Sequence, residues 1–399
     1  MKQTHIDWCP SVPVHWKECL FKNCVNICNG RDYKDIESSE GIPVIGSGGP
    51  FAYCTETMYD GEVIFLGRKG TIDKPLYFNG PFWAVDTMFY AIPQKGCFAK
   101  FLYYLATCFP FKKIFTQTAL PSMTQTSLRN LRLFIPPIEE QQAIADYLDE
   151  KTTEIDKQVE LLDQKQKAYL KLKASLINQV VTRGLNPYAP LRDSEIDWIG
   201  EIPAHWEVKR LKDITSLNPL CNISKCDSSV SFVPMESLRC GQIDLQEISF
   251  NEAKGKYTYF ADDDLLVAKV TPCFENGNIS LAKNLKEGIG FGSSEIFVLR
   301  CTDVLNTFMF YYSLSSQFRD NACATMCGVG GLKRISPLFM RTYQFAIPPI
   351  EEQQAIADYL DEKTAEIDNA ITNIDKKIKA YKRLKQSLID EVVTGKRKI

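Results

Sequence analysis

The side chains best suited to chemistry in this sequence are three histidines, fourteen cysteines and a few polar loops, and their spacing decides among them. His15 and His205 recur inside the same Pro-x-His-Trp string, so any catalytic role would have to be carried out twice in parallel. Packing within a repeated frame is the expected role. The closest cysteine pairs, Cys24/Cys28, Cys221/Cys226 and Cys323/Cys327, lack the two-residue gap of a zinc knuckle, and no metal site is expected from them. A phosphate loop of the form G-x-x-x-x-G-K-[ST] is absent, since Gly395-Lys396 is followed by arginine. The Asp/Asn-Pro-Pro-aromatic string of adenine methyl transfer is absent too, because both Pro-Pro pairs are flanked by isoleucine.

Pro272-Cys273 with Glu275-Asn276 superficially resembles the Pro-Cys nucleophile and Glu-Asn pair of cytosine-C5 methyltransferases. In that family the two elements lie well apart, and no glycine-rich cofactor motif opens this chain. A nucleophilic cysteine needs an activating constellation, and none accompanies Cys273 in the sequence. The expectation is a chain that is not itself an enzyme.

What remains are glycine-bearing polar loops able to approach a nucleic acid. Gly46-Ser47-Gly48-Gly49 and Gly67-Arg68-Lys69-Gly70-Thr71 combine close backbone approach with donors for phosphate or a guanine edge. Farther on, Lys269-Val270-Thr271-Pro272-Cys273 runs into Phe274-Glu275-Asn276-Gly277-Asn278, and Gly292-Ser293-Ser294 follows. The candidate DNA-binding residues are Ser47, Gly48, Arg68, Lys69 and Thr71, then Lys269, Thr271, Asn276, Asn278, Ser293 and Ser294.

Short apolar runs broken by Gly, Pro and Asn surround these loops: VIFLG and FWAVDTMFYAI in one segment, DLLVAKV and EIFVLR in the other. They read as strands more than helices, giving two globular target-reading domains of α+β or mostly β class, with α+β the class expected for the chain. The elements that hold them are repeated. Ile135 to Asp156 and Ile347 to Asp368 are identical except at Thr153 and Ala365, and the match continues loosely to Thr182 and Thr394. Upstream, Asp7-Trp8 with Pro13, His15 and Trp16 returns as Asp197-Trp198 with Pro203, His205 and Trp206. The frame is duplicated, while its contents, about 17–134 and 207–346, show no obvious mutual similarity.

Each frame ends in a long helix. Pro136-Pro137 and Pro348-Pro349 fit a helix start, and Glu139-Glu140 and Glu351-Glu352 follow where the helix dipole favours carboxylates. Leu148, Ile155, Leu162, Tyr169 and Leu176 recur every seventh residue, as do Leu360, Ile367, Ile374, Tyr381 and Leu388. Val159, Val180, Ile371, Ile378 and Val392 broaden each into a seam. Two such helices are expected to pair as an antiparallel coiled coil with pseudo-two-fold symmetry. The expected division is 1–134 and 184–346 for the reading domains, the latter with a linker at 184–200, and 135–183 and 347–399 for the spacer helices.

At 399 residues the chain has room for two real cores. No apolar run could span a bilayer, and the N-terminal segment lacks the apolar stretch of a secretory signal, so a cytoplasmic protein with free thiols is expected. The net charge of -2 is not the footprint of a protein that grips nucleic acid alone; a partner would have to supply cationic surface.

Taken together, Trp-Ile-Gly-x-Ile-Pro-x-His-Trp, a variable segment, and Ile-Pro-Pro-x-x-Glu-Gln-Gln-x-Ile-Ala-x-Tyr-Leu with its long helix, duplicated, resemble the specificity subunit of Type I restriction-modification systems. GRKGTI, PFWAVDTMFY and KVTPCFENGN are similar to strings in target-recognition domains of that family. The first frame departs at Cys9-Pro10, where the second has Ile199-Gly200, and Asn278 stands where relatives often have lysine. The resemblance implies a subunit that binds double-stranded DNA at an asymmetric two-part target and docks two modification (methyltransferase) subunits, with motor-nuclease restriction subunits added for cleavage. S-adenosylmethionine, ATP and Mg2+ would then belong to the partners. The contrasting class is a coiled-coil interaction scaffold with two ligand-binding domains, told apart by the mass of the complex formed with neighbouring gene products.

Overall fold

The computed structural model describes residues 1–116, 121–223, 228–329 and 331–399. These form two compact units, Met1–Asp163 with Asp375–Ile399, and Gln164–Ile374. The division falls inside both long helices, where the sequence suggests boundaries at the helix ends. Each unit takes the front of one helix and the rear of the other because both stretches carry apolar side chains into its core.

In the first unit, a seven-stranded sheet is built from β1 (Val25–Asn29), β2 (Glu37–Ser38), β3 (Ile42–Gly46), β4 (Gly49–Cys54), β5 (Tyr59–Gly67), β6 (Leu76–Ala84) and β7 (Met88–Pro93). The spatial order is β1-β7-β5-β6-β3-β4-β2. All pairings are antiparallel except β3 with β6. Helix α1 (Ala99–Ala106) follows, and α2 (Ile138–Arg183) is the first long helix.

The second unit carries β8 (Thr215–Leu217), β9 (Ser229–Val233), β10 (Gln246–Ser249), β11 (Thr258–Ala261), β12 (Leu265–Ala268), β13 (Ile279–Leu281), β14 (Ile289–Gly292) and β15 (Ile296–Cys301), then α3 (Asn306–Leu314) and α4 (Ile350–Val393). They make two four-stranded sheets, β8-β15-β12-β13 and β10-β9-β14-β11, with β9 and β14 parallel. Apart from β2, which has no counterpart among the described residues, this is the first unit's path. β5 corresponds to β11 plus β12, and β6 to β13 plus β14.

The repeated motif works mainly inside each unit. Trp16 is buried and its indole N–H donates to Glu140 at 3.0 Å, while His15 Nε2 lies 2.7 Å from the same carboxylate. Trp206 and His205 meet Glu352 in the same way, at 3.2 and 2.7 Å. Both histidines thus help dock the N-terminal segment onto a helix start, the role expected from their duplication. The fully buried Gln141 accepts the Phe98 N–H ahead of α1 and donates to the carbonyls of Gly96 and Pro136; Gln353 accepts the Leu305 N–H ahead of α3 and donates to that of Pro348. A single amide side chain therefore satisfies orphan groups at two helix starts. Tyr104 donates to Asp149 at 2.7 Å and Tyr311 to Asp361 at 2.5 Å. Burial pushes both phenols above their ordinary range, so they remain protonated donors.

The helices span 46 and 44 residues. Within the first unit the front of α2 and the rear of α4 run antiparallel: Lys385 reaches Asp156 at 2.6 Å, and Leu388, Ile389 and Val392 share a core with Ile144, Leu148 and Ile155. The second unit repeats this with Lys173 on Asp368 at 2.7 Å and with Ile177, Val180 and Val181 beside Ile356 and Leu360. Of the heptad positions, Leu148, Ile155, Leu360, Ile367, Ile374 and Leu388 are buried, while Leu162, Tyr169, Leu176 and Tyr381 are half-buried.

The segment 184–200 is more than a linker. Leu191–Asp193 pairs with Glu201–Pro203, as Lys2–Gln3 pairs with Ser11–Val12 in the first unit. Every described cysteine is a free thiol; Cys226 lies outside the described residues. Among the described residues no helix is long and apolar enough to cross a membrane.

Candidate nucleic-acid interface

In the first unit the ladder sets the ends of β1 and β5 beside the start of β7, and the end of β6 beside the end of β3 and the start of β4; β5 and β6 are antiparallel, so the two groups lie at opposite ends of that pair. Asn29 faces Phe89 and Gly67 faces Met88 in the first group, and Ala84 faces Ile45 and Gly46 faces Gly49 in the second. The 85–87 turn between β6 and β7 joins them, Val85 N–H donating to Ile45 O at 3.2 Å and Arg68 N–H to Thr87 O at 2.8 Å. Ser47 and Gly48 form the β3–β4 turn of the second group, and the Gly67 to Thr71 loop leaves β5 in the first. Ser47 is half-buried, while Gly48, Lys69 and Thr71 are exposed. The five residues singled out in this domain thus fall in two loops that the 85–87 turn connects.

The loop after β5 is held by its backbone. Arg68 N–H donates to Thr87 O at 2.8 Å, Gly70 N–H to Pro121 O at 3.0 Å, and Met123 N–H to Arg68 O at 2.9 Å. Gly67 is required by close approach, because a Cβ there would lie 2.1 Å from the Thr71 carbonyl oxygen. The Arg68 guanidinium rests over the Phe89 ring at 5.8 Å and donates to Asp86 O at 3.3 Å. A cavity of about 380 Å3 is lined by Arg68 and Lys69 and by Asn29, Thr124 and Gln125. Arg31 and Asp32 follow β1, Asp73 and Lys74 follow the loop, and Asp86 lies in the 85–87 turn, so the charge around these loops is mixed.

In the second unit Lys269 leaves β12 as Arg68 leaves β5. Its carbonyl accepts from Ile335 N–H at 2.9 Å, Thr271 N–H donates to Lys333 O at 2.9 Å, and the Lys269 ammonium lies 5.2 Å from the Phe297 ring centre. Asn276 and Ser294 are exposed, Lys269 and Ser293 half-buried. Two residues depart from the expectation. Thr271 is buried, and its hydroxyl donates to Gly331 O and accepts from Lys333 N–H, both at 2.9 Å. Asn278 is buried as well, and its carbonyl accepts from Ala268 N–H at 3.0 Å. Thr271 ties the loop through its side chain and Asn278 through its backbone carbonyl, and both residues are buried. The Ser293 hydroxyl accepts from Glu295 N–H.

Sequence reasoning missed Asn29, Thr124, Gln125 and the exposed strands Cys327–Val329 and Leu332–Arg334. The signal for the last was positional: Pro121 and Lys333 stand equally far ahead of their Ile-Pro-Pro strings. Arg334 is engaged by Glu295 at 2.9 Å, and that pairing holds the Glu295 carboxyl below its ordinary range. Among the described residues Arg68, Lys69 and Lys269 have no carboxylate within 4.0 Å. Nor do the described residues cluster three or more His, Cys, Asp or Glu side chains fit to hold a metal.

Residues 13–167 and 203–380 match the family described as Type I restriction modification DNA specificity domain. The specificity subunit of the Type I restriction enzyme EcoAI from Escherichia coli is 31% identical over 189 residues, which are 46% of this chain and 32% of that protein. Over that match the chain spans about a third of its relative's length. The specificity subunit of the Type I restriction enzyme MjaVIII from Methanocaldococcus jannaschii is 25% identical over 84% of this chain and 76% of its own length. The fold resembles a solved chain from work on complex assembly and conformational transition of the type I R-M system, with TM-score 0.72, 15% identity, and coverage of 96% of this chain and 98% of that one. The HsdS subunit from Thermoanaerobacter tengcongensis gives TM-score 0.52 at 15% identity, covering 97% and 98%.

Proposed function

Because this chain belongs to the Type I restriction modification DNA specificity domain family, we propose that it is the target-reading subunit of a DNA methylation and restriction assembly. It binds double-stranded DNA at an asymmetric two-part target, one half-site for each variable domain, and catalyses nothing itself. The observation that carries this reading is a single frame, repeated almost without change, holding two domains of common strand path with a cation, unpaired by any described carboxylate, directly after the equivalent strand of each. Unlike readers on a like frame are what an asymmetric target requires.

The outward face of the repeated motif supports docking of two copies of one partner. With Glu140, Gln141, Asp149 and Thr152 committed inside the unit, the exposed remainder includes Glu139, Asp146, Glu150 and Glu154, matched by Glu351, Asp358, Glu362 and Glu366. Equal faces, on which Lys151 pairs with Glu150 and Glu154 as Lys363 pairs with Glu362 and Glu366, suit two modification subunits held in equivalent poses, whose cationic surface would also share the phosphate contacts. S-adenosylmethionine, ATP and Mg2+ are then carried by the modification and restriction subunits, within the cytoplasm.

Co-expression with neighbouring methyltransferase genes, followed by mass measurement and single-molecule mapping of methylated adenines, tests the reading. The expected result is a complex with two modification chains and a two-part motif that disappears with this gene. A self-associated oligomer without DNA binding would instead establish the scaffold class. Within a working complex, Lys69→Ala should weaken binding to all sequences alike and lower the salt slope by about one, the mark of a phosphate contact.

A further inference from the structure

Two cations occupy one position in two domains that share no obvious sequence. Arg68 follows the last residue of β5 and Lys269 the last residue of β12. Gly67 pairs with Met88 and Ala268 with Ile296, so Phe89 and Phe297, the rings beneath the cations, are register equivalents. The carbonyls of Arg68 and Lys269 accept from Met123 and Ile335, which lie equally far before the repeated Ile-Pro-Pro. Everything around the position has diverged, while a cation on a ring has stayed.

Resting on the specificity-subunit reading, we propose that this position is the base-reading site of each domain, and that Arg68 reads a guanine in one half-site, with Asn29, Thr124 and Gln125 completing its subsite. Arg68 is half-buried, seated on Phe89 and tied by one nitrogen to Asp86 O, so its planar fork is oriented before any ligand arrives. A guanidinium offers donors only, and guanine is the base that presents two adjacent acceptors, N7 and O6, in the major groove; adenine places an amino donor where the second acceptor would be. Gln125 commits its amide nitrogen to Ile27 O at 3.0 Å, which leaves its oxygen to accept from the amino group of the paired cytosine. Lys69, exposed and without ring or carboxylate among the described residues, is a point charge suited to phosphate. Lys269 places an ammonium at the same station, a compact charge with three rotatable donors in place of a fixed planar fork.

The test uses the complex of this chain with its modification subunits and duplexes carrying the target mapped in the host. Replacing each guanine in turn by 7-deazaguanine, which lacks the N7 acceptor, should weaken binding about tenfold or more at one guanine of one half-site. Arg68→Lys should relax that same base, cutting discrimination there by roughly ten- to a hundredfold, and leave the other half-site unchanged. Lys269→Ala should alter only the other half-site. The proposal is overturned by a target with guanine in neither half-site, by indifference to 7-deazaguanine throughout, or by an Arg68→Lys complex weakened equally on all sequences. The base-analogue arm uses unaltered protein, so it decides the matter even if the variants do not assemble. A complex that methylates DNA at no two-part target defeats the specificity reading itself, a different failure from a two-part target indifferent to Arg68.

Discussion

In the first unit β5 and β6 run nine residues each without interruption, and Gly61 faces Gly80 across the ladder, both at positive φ. In the second unit the same two strands are each cut in half. Between β11 and β12 the chain turns through Asp262, Asp263 and Asp264; Asp263 is left-handed, and the buried Asp264 carboxylate accepts from Ala261 N–H and pairs with Arg300 at 2.6 Å. Between β13 and β14, Asn284 and Glu287 are also left-handed, and Leu285 N–H donates to Asp262. A glycine pair lets strands coil without leaving the sheet, whereas a polar turn with its own hydrogen bonds ends them. One strand path thus gives one bent sheet or two, and the position after the central strand survives either way.

If the frames are equivalent and only their contents differ, changes in the frame should cost both units alike. Trp16→Ala and Trp206→Ala remove fully buried indoles and should each lower stability by about 3–5 kcal/mol, read by hydrogen exchange in peptides of the corresponding unit. A difference much above 1 kcal/mol between them would break the equivalence. Gln141→Ala and Gln353→Ala strand buried backbone groups and should cost about 1–3 kcal/mol each, with exchange rising first at the start of α1 or α3. Gly80→Ala places a side chain at φ +126° and should cost about 1–2 kcal/mol, measured by denaturant unfolding. The cut strands of the second unit hold no glycine at positive φ; there Gly290→Ala would instead drive a Cβ to 2.1 Å from the Phe260 ring.

The smallest expected difference concerns pH. Glu295 is held below its ordinary range by Arg334, first through their hydrogen bond. A depressed carboxyl contributes stability above its unfolded value that is lost as pH falls through the folded one. The pair is partly exposed, so roughly 0.2–1 kcal/mol is at stake. Acid titration of the second unit should show this loss and Arg334→Ala should remove it. Ser122 stands at the equivalent place in the first unit, where no such loss is expected.

The duplicated Ile-Pro-Pro motif, the helix starts and the seam from Leu148 to Leu388 were legible because near-identity, proline and heptad spacing are local signals. So were the basic loop after β5 and Lys269, since each follows an apolar run. Thr271 and Asn278 misled because a polar residue in a glycine-bearing loop looks the same whether it faces a ligand or ties down its own chain. Asn29 and Gln125 could not be found, being far from Arg68 in sequence and joined to it only where β1 and the 122–125 turn meet the end of the sheet.

The sequence by itself determined the repeat, the two long helices and the inequality of what they carry. Periodicity and identity are properties of the chain, and no contact is needed to read them. Only the tertiary structure decided that the most repeated residues are spent inside each unit, that the unit boundary lies within the helices, and that Arg68 and Lys269 are one position. Those facts depend on strand register and side-chain burial, which arise when distant segments pack and leave no mark on the residues between them.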